Sequence, residues 1–252
     1  MTHTFTVSPD FSPDYLAGWF VFNTWLQRTL GCPFHLELMN DFQSLHRAIE
    51  ADRIDLIYAN PYDAAMLVRD KAFTPVVKPR NRPDEVVIAV PETSDLQAVE
   101  DLPKGVRVAS TDDPDVHLIG MVMLEPSGLV AEDIELKVVG NYVLVAKQLL
   151  QGACDAGIFL DRAFHELSRP VRDQLRPLVR SDIQVIHHSL MAGPRLNDRL
   201  GSLRDALLDM ENDAKGQDIL TQLGLSAWGR VEPEETEFMI DLMETLSYSS
   251  LI

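Results

Sequence analysis

One phrase occurs twice in this chain, and it constrains the fold more than any other feature. From Leu45 to Tyr58 an amphipathic helical stretch meets a polar break at Ala51-Asp52-Arg53, then Ile54-Asp55 and the apolar run Leu56-Ile57-Tyr58. From Ala146 to Phe159 the pattern returns, with a break at Gln151-Gly152-Ala153, then Cys154-Asp155 and Ala156-Gly157-Ile158-Phe159. Helical spacing, turn residues and a short apolar run together read as a helix, a tight turn and a buried parallel strand. Each strand leads into a polar loop, Ala59-Asn60-Pro61-Tyr62-Asp63 after the first and Leu160-Asp161-Arg162 after the second. In open α/β sheets ligands bind beyond the carboxyl ends of strands, so two such ends in two similar halves imply two lobes facing one cleft.

The rest of the chain fits that frame. Phe5-Thr6-Val7 starts a strand, a helix runs from about Tyr15 to Leu30, and Gly31 supplies its left-handed stop. Phe34 to Leu38 alternates as a strand, Asp41 caps the helix of the first copy, and a helix follows near Asp63 to Asp70. After the apolar strand Val86–Val90 the pattern starts over. Val106 to Ala109 is a strand, a helix opens after Ser110–Asp115 and closes at Gly128, and Asn141 begins the helix of the second copy. Gln184 to Met191 reads as a strand, and the C-terminal third is helical at Asn197–Lys215, Gln217–Leu223 and Glu232–Leu246. Tyr248 to Ile252 carry no readable signal. The expected lobes are therefore 1–90 with 185–252, and 91–184, joined by two hinge strands near 86–90 and 184–191 that would let the cleft close.

Composition excludes several classes. The 39 acidic against 22 basic residues give a formal charge of −17, which repels nucleic acid and anionic membranes. No apolar run approaches the roughly 18 residues of a membrane span, and Met1 to Val7 lacks the basic and apolar regions of a signal peptide. The chain is thus expected in the cytoplasm, or in the periplasm if a leader has been removed. Cys32 and Cys154 lack metal or disulfide spacing and read as small apolar residues. No GxSxG, HExxH, phosphate-binding loop or dinucleotide fingerprint occurs, so no catalytic residue, cofactor or metal is assigned.

The order of elements resembles the type II periplasmic solute-binding proteins, within them the phosphonate/phosphite-binding proteins of ABC transporters. The resemblance rests on Ile54 to Pro61, on Asp101-Leu102-Pro103-Lys104-Gly105-Val106-Arg107-Val108-Ala109, on Gly140-Asn141-Tyr142 followed by Gln151 to Gly157, and on Ala206-Leu207-Leu208 with Gly216. It covers nearly the whole chain. It implies an α/β, two-lobed periplasmic-binding-protein-like (type II) fold, each lobe a central mixed sheet flanked by helices. It further implies a small-molecule ligand, an ABC transporter or sensor as partner, and a monomer.

In such relatives a Ser-Thr-Ser-Gly run at a helix start holds the anion with hydroxyls and free N–H groups. Aligned backward from Leu124-Glu125-Pro126-Ser127-Gly128-Leu129, this chain places Asp113-Pro114-Asp115-Val116 there, and Tyr142 where the relatives have histidine. Two hydroxyls have become carboxylates that repel a phosphonate, and Pro114 has removed an N–H. Ser110 and Thr111, just before, could compensate.

The candidate ligand residues are Phe11, Ser12, Tyr58, Asn60 and Tyr62 in the first lobe, and Ser110, Thr111, Asp113, Asp115, Asn141, Tyr142 and Asp161 in the second. Asp113 and Asp115 suit a cationic or hydroxyl-rich ligand, with helix N-capping the competing role for Asp115. Capping explains Asn141 equally well, and a surface ion pair competes at Asp161. Trp19 is expected in the core. His187 and His188 should face opposite sides of a strand, one of them buried and neither a metal ligand. The expected function is a solute-binding protein acting as a cytoplasmic sensor or carrier, or as a receptor whose leader was removed. The alternatives are a cytoplasmic enzyme of biosynthetic lyase or dehydratase type on the same fold, and a homologue that binds a protein.

Overall fold

The computed structural model describes residues 2–249; Met1 and the end of the C-terminal segment, from Ser250 to Ile252, lie outside the described residues. In chain order the elements are β1 (His3–Val7), α1 (Leu16–Leu30), β2 (Phe34–Leu36), α2 (Phe42–Glu50), β3 (Leu56–Ala59), α3 (Pro61–Lys71), β4 (Thr74–Pro79) and β5 (Val86–Pro91). Then come β6 (Val106–Ser110), α4 (Pro114–Leu124), β7 (Ile134–Val138), α5 (Tyr142–Leu150), β8 (Ala156–Leu160), α6 (Asp161–Glu166), α7 (Arg169–Arg172) and β9 (Leu175–Arg180). The chain ends with β10 (Ser189–Ala192), α8 (Leu200–Asp209), α9 (Ala214–Gln222), β11 (Trp228–Gly229) and α10 (Pro233–Ser249). The described residues fall into two units, those of 1–83 with 187–240 and those of 84–186 with 241–252.

The repeated phrase has one structural meaning in both units. In each copy the helix ends and the second residue past it turns left-handed, Asp52 at φ 51° after α2 and Gly152 at φ 66° after α5. Glycine adopts that backbone freely, and aspartate is among the residues that tolerate it. The aspartate that follows locks the new strand to its parallel neighbour. Asp55 accepts the Thr4 N–H at 2.8 Å while its own N–H donates to the Thr4 carbonyl at 2.9 Å. Asp155 does the same to Arg107, accepting its N–H at 3.0 Å and donating to its carbonyl at 2.8 Å. Asp155 also binds the Arg107 guanidinium, which holds the carboxyl below the usual carboxylate range. Asp55 is buried, so Asp55→Ala strands a strand-end N–H and is expected to cost about 2 kcal/mol, roughly 4–8 °C in a thermal melt.

The first unit holds a six-stranded sheet in the order β11-β4-β10-β3-β1-β2. β3 pairs parallel with β1 and antiparallel with β10, so the sheet is mixed. Alternation along the strands divides its two cores. Phe5, Val7, Leu56, Tyr58 and Leu190 face α1, α8 and α9, meeting Trp19, Phe22, Leu26, Leu203 and Leu220. Ile57, Ala59 and Met191 face α2 and α3, meeting Leu45, Ile49 and Leu67. Trp19 is 2% exposed, a core residue as expected. α1 ends at Gly31 in the left-handed region, and α2 starts at Asp41, whose carboxylate accepts the Ser44 N–H at 2.6 Å.

The second unit holds a five-stranded sheet in the order β7-β6-β8-β5-β9, again mixed because β6 runs parallel to β7 and β8 while β5 is antiparallel to β8 and β9. Val87, Ala89, Ala109 and Phe159 on one face meet Val145, Ala146, Leu149 and Phe164 of α5 and α6. One expectation fails at the end of this unit. The strand expected over 184–191 begins only at Ser189, because Gln184 turns left-handed at φ 61° and Glu85 binds the N–H groups of Ile183 and Gln184 at 2.9 and 2.6 Å. His187 and His188 therefore precede the strand, the alternation rule does not reach them, and both are buried, at 3% and 2% exposure.

Candidate functional site

Each unit gathers buried polar groups at the ends of its central strands. In the first unit the ends of β1 and β3 lie beside the start of β10, since Ser189 pairs with Ala59 and the Ser8 N–H donates to the Tyr58 carbonyl at 2.8 Å. His188 Nε2 lies 2.8 Å from Asp10 Oδ2, both side chains almost fully buried, and its ring stacks on Tyr58 with centroids 5.1 Å apart. His187 Nδ1 lies 3.1 Å from Ser189 Oγ. Behind this cluster, His46 Nε2 meets the fully buried Asp63 at 2.7 Å. The hydroxyl of Ser8 and the side-chain N–H groups of Asn60 are buried and make no hydrogen bond among the described residues.

Burial pushes the Asp63 carboxyl up, partly offset by its bond to His46, and Asp10 nearby raises it further. The same bond raises the His46 imidazole above its ordinary value. A histidine whose folded pKa exceeds its unfolded value, near 6.5, adds stability that is complete below that pH and is lost as pH rises through the folded value. Burial lowers the His117 imidazole and works in the opposite direction, so the check is a difference: between about pH 6 and 8 the wild-type protein is expected to lose more stability, or gain less, than His46→Gln as pH rises.

In the second unit the end of β6 delivers Ser110 and Thr111, both buried, whose hydroxyls make no hydrogen bond among the described residues. α4 then opens with Asp113, Pro114 and Asp115, the two carboxylates 2% and 1% exposed. The Tyr142 hydroxyl donates to Asp113 Oδ2 at 2.9 Å. Asp113 holds the N-cap position but its side chain makes no capping bond, and Asp115 lies one step inside the helix, so the capping role expected for Asp115 is not the one it takes. Asp84, 1% exposed, pairs with Arg162 at 2.9 Å. The arrangement offers carboxyl oxygens at a helix start, where the helix dipole favours negative charge.

The other sequence candidates fall in varied places. Phe11 is half-buried against the first-unit core, and Ser12 precedes a 3-10 turn at Pro13–Tyr15. Tyr58 is buried between Trp19 and His188. Asn60 caps α3, its Oδ1 accepting the Asp63 N–H at 2.7 Å, and half-buried Tyr62 follows on the first turn of that helix. Asn141 is exposed and caps α5, accepting the Leu144 N–H at 2.9 Å. Asp161, expected in a loop, is the first residue of α6 and pairs with Arg180. Nothing local in the sequence marks Asp10, His46 or Asp84, because each meets its partner only through the fold.

No curated protein matches the chain. Solved structures resemble it over nearly its full length. PhnD1 from Prochlorococcus marinus in complex with methylphosphonate is 13% identical, with a TM-score of 0.82, covering 98% of both chains. A binding protein component of an ABC phosphonate transporter from Pseudomonas aeruginosa is 14% identical, with a TM-score of 0.81, covering 99% of this chain and 88% of that one. The periplasmic aliphatic sulphonate-binding protein of Escherichia coli is 14% identical, with a TM-score of 0.69, covering 100% and 88%. At these identities the likeness shows the fold, the type II periplasmic binding fold expected from the sequence. The family described as ABC transporter, phosphonate, periplasmic substrate-binding protein matches residues 5–236, and the chain belongs to that family.

Proposed function

We propose that the protein is a periplasmic receptor that captures a small molecule for an ABC transporter, and that its ligand presents amine or hydroxyl groups in place of a phosphonate dianion. The observation that carries this reading is the start of α4, where Asp113 and Asp115 are buried carboxylates and Pro114 withholds an N–H. A dianion at that point meets two carboxyl groups in place of the hydroxyl and N–H donors it needs, and whatever negative charge they carry repels it strongly in a medium of low dielectric. A hydrogen-bond donor instead finds acceptors there, with the hydroxyls of Ser110 and Thr111 beside them. A buried hydroxyl without a partner costs about 1–3 kcal/mol, which a ligand that bonds to it recovers. Tyr58 and Tyr62 are the proposed contacts from the first unit, and closure of the two lobes on the ligand is part of the proposal. The family's periplasmic description favours that compartment, and no observation on the described residues favours the cytoplasmic sensor or the enzyme.

A thermal-shift screen of phosphonates, sulfonates, amines, polyols and sugars tests the reading. An amine or polyol is expected to raise the melting temperature and to be recovered unchanged by mass spectrometry, with the radius of gyration falling by small-angle scattering. Stabilisation only by simple phosphonates contradicts the proposed ligand class, and conversion of the hit contradicts the receptor.

A further inference from the structure

β7 is an edge strand of the second-unit sheet, and among the described residues nothing pairs with its outer side. An open edge exposes unpaired N–H and C=O groups and templates another strand unless it is blunted. Which groups are open follows from the bonds at its two ends. Gly105 donates to the Asp133 carbonyl at 2.7 Å and the Val139 N–H donates to Ser110 at 2.8 Å, so residues 133, 135, 137 and 139 turn their backbone groups toward β6. Alternation turns those of Ile134, Leu136 and Val138 outward.

The side chains have a matching order. Glu135, Leu136, Lys137 and Val138 are exposed, Val138 at 55% and Leu136 at 40%, with Val130 just upstream at 56%. Apolar residues share one face of the strand, and Glu135 and Lys137 share the other, near Arg107 and Cys154. Placed antiparallel to itself about Leu136, the segment is self-complementary. Leu136 faces Leu136 and Ile134 faces Val138, both hydrogen-bonded pairs because their backbone groups point outward. Glu135 faces Lys137 in the close non-hydrogen-bonded position, where opposite charges help and like charges oppose pairing. This five-residue strand is also locally neutral in a chain of charge −17, so self-repulsion is least where it lies.

We propose that β7 is the interface for a second copy of this chain, an isologous antiparallel strand pair that joins two second-unit sheets into one continuous sheet. The proposal departs from the monomer expected from sequence and is independent of the ligand.

Sedimentation velocity over a wide concentration range tests it. The wild-type chain is expected to move with concentration from 28.3 kDa toward twice that mass. Lys137→Glu places Glu opposite Glu and Glu135→Lys places Lys opposite Lys, so each variant alone is expected to associate at least tenfold more weakly. Mixed together, the two restore association, because each presents the charge the other lacks, an outcome a merely structural role for these residues does not produce. Leu136→Pro, whose lost N–H points outward and takes no bond from β6, is expected to stay at the single-chain mass. A wild-type chain that remains at 28.3 kDa throughout overturns the proposal, whatever other protein the edge captures. So does a dimer that Lys137→Glu and Leu136→Pro leave unchanged.

Discussion

Replacing His188 by alanine is expected to lower the melting temperature by roughly 10 °C, the largest effect of any single substitution in the first-unit cluster. His188 Nε2 holds Asp10 at 2.8 Å with the two side chains 2% and 3% exposed, and its ring stacks on Tyr58. Removing one partner from a buried pair costs about 3–5 kcal/mol, because the remaining carboxylate has lost a bond it cannot replace with water. In a chain of this size each kcal/mol moves the midpoint by about 2–4 °C. Adding Asp10→Asn to the alanine variant removes the charge and is expected to recover part of the loss. Equal melting temperatures for the single and double variants would show that the carboxylate is not the source of the cost, leaving the stacked ring as the main term.

The second large effect concerns ligand choice. In the variant carrying Asp113→Ser and Asp115→Ser, methylphosphonate is expected to become a stabilising ligand, and any amine or polyol that stabilises the wild-type protein to lose its effect. Two carboxylates are replaced by hydroxyls at the first turn of α4, beside the buried hydroxyls of Ser110 and Thr111. The helix dipole is then free to favour an anion. At a hundredfold excess over its dissociation constant, a ligand adds about 2.7 kcal/mol, or roughly 5–10 °C here. Pro114 still lacks its N–H, so the gain in affinity stays short of a full cradle. A double variant that ignores methylphosphonate while keeping the wild-type ligand would remove Asp113 and Asp115 from the site.

Much of this architecture was legible because it is local. The helix, turn and strand of the repeated phrase depend on neighbours within a few residues, and so do the caps at Asp41 and Asn141 and the stop at Gly31. The aspartate in each copy was visible as a pattern, but its work, clamping the strand beside it, was not. The failures share a cause. His187 and His188 resemble strand residues in sequence because Val185, Ile186, Leu190 and Met191 are apolar, yet Glu85 binds the N–H groups of Ile183 and Gln184, and Gln184 turns left-handed before them. Asp115 read as a cap, but Pro114 fixes the first turn of α4 one residue earlier, and Asp113, at the cap position, is taken by the Tyr142 hydroxyl. Asp10 with His188, and Asp84 with Arg162, meet only through the fold. The run Asp113-Pro114-Asp115 at the start of α4, by contrast, is visible in the sequence alone, and the proposed change of ligand rests on it.

Calorimetric titration of the wild-type protein with methylphosphonate tests the central claim most directly. The buried carboxylates of Asp113 and Asp115 predict no saturable heat, while the Asp113→Ser, Asp115→Ser protein titrated in parallel gives one. Saturable binding of methylphosphonate by the wild-type chain, one molecule per chain, would contradict the claim that this receptor has given up the dianion of its family.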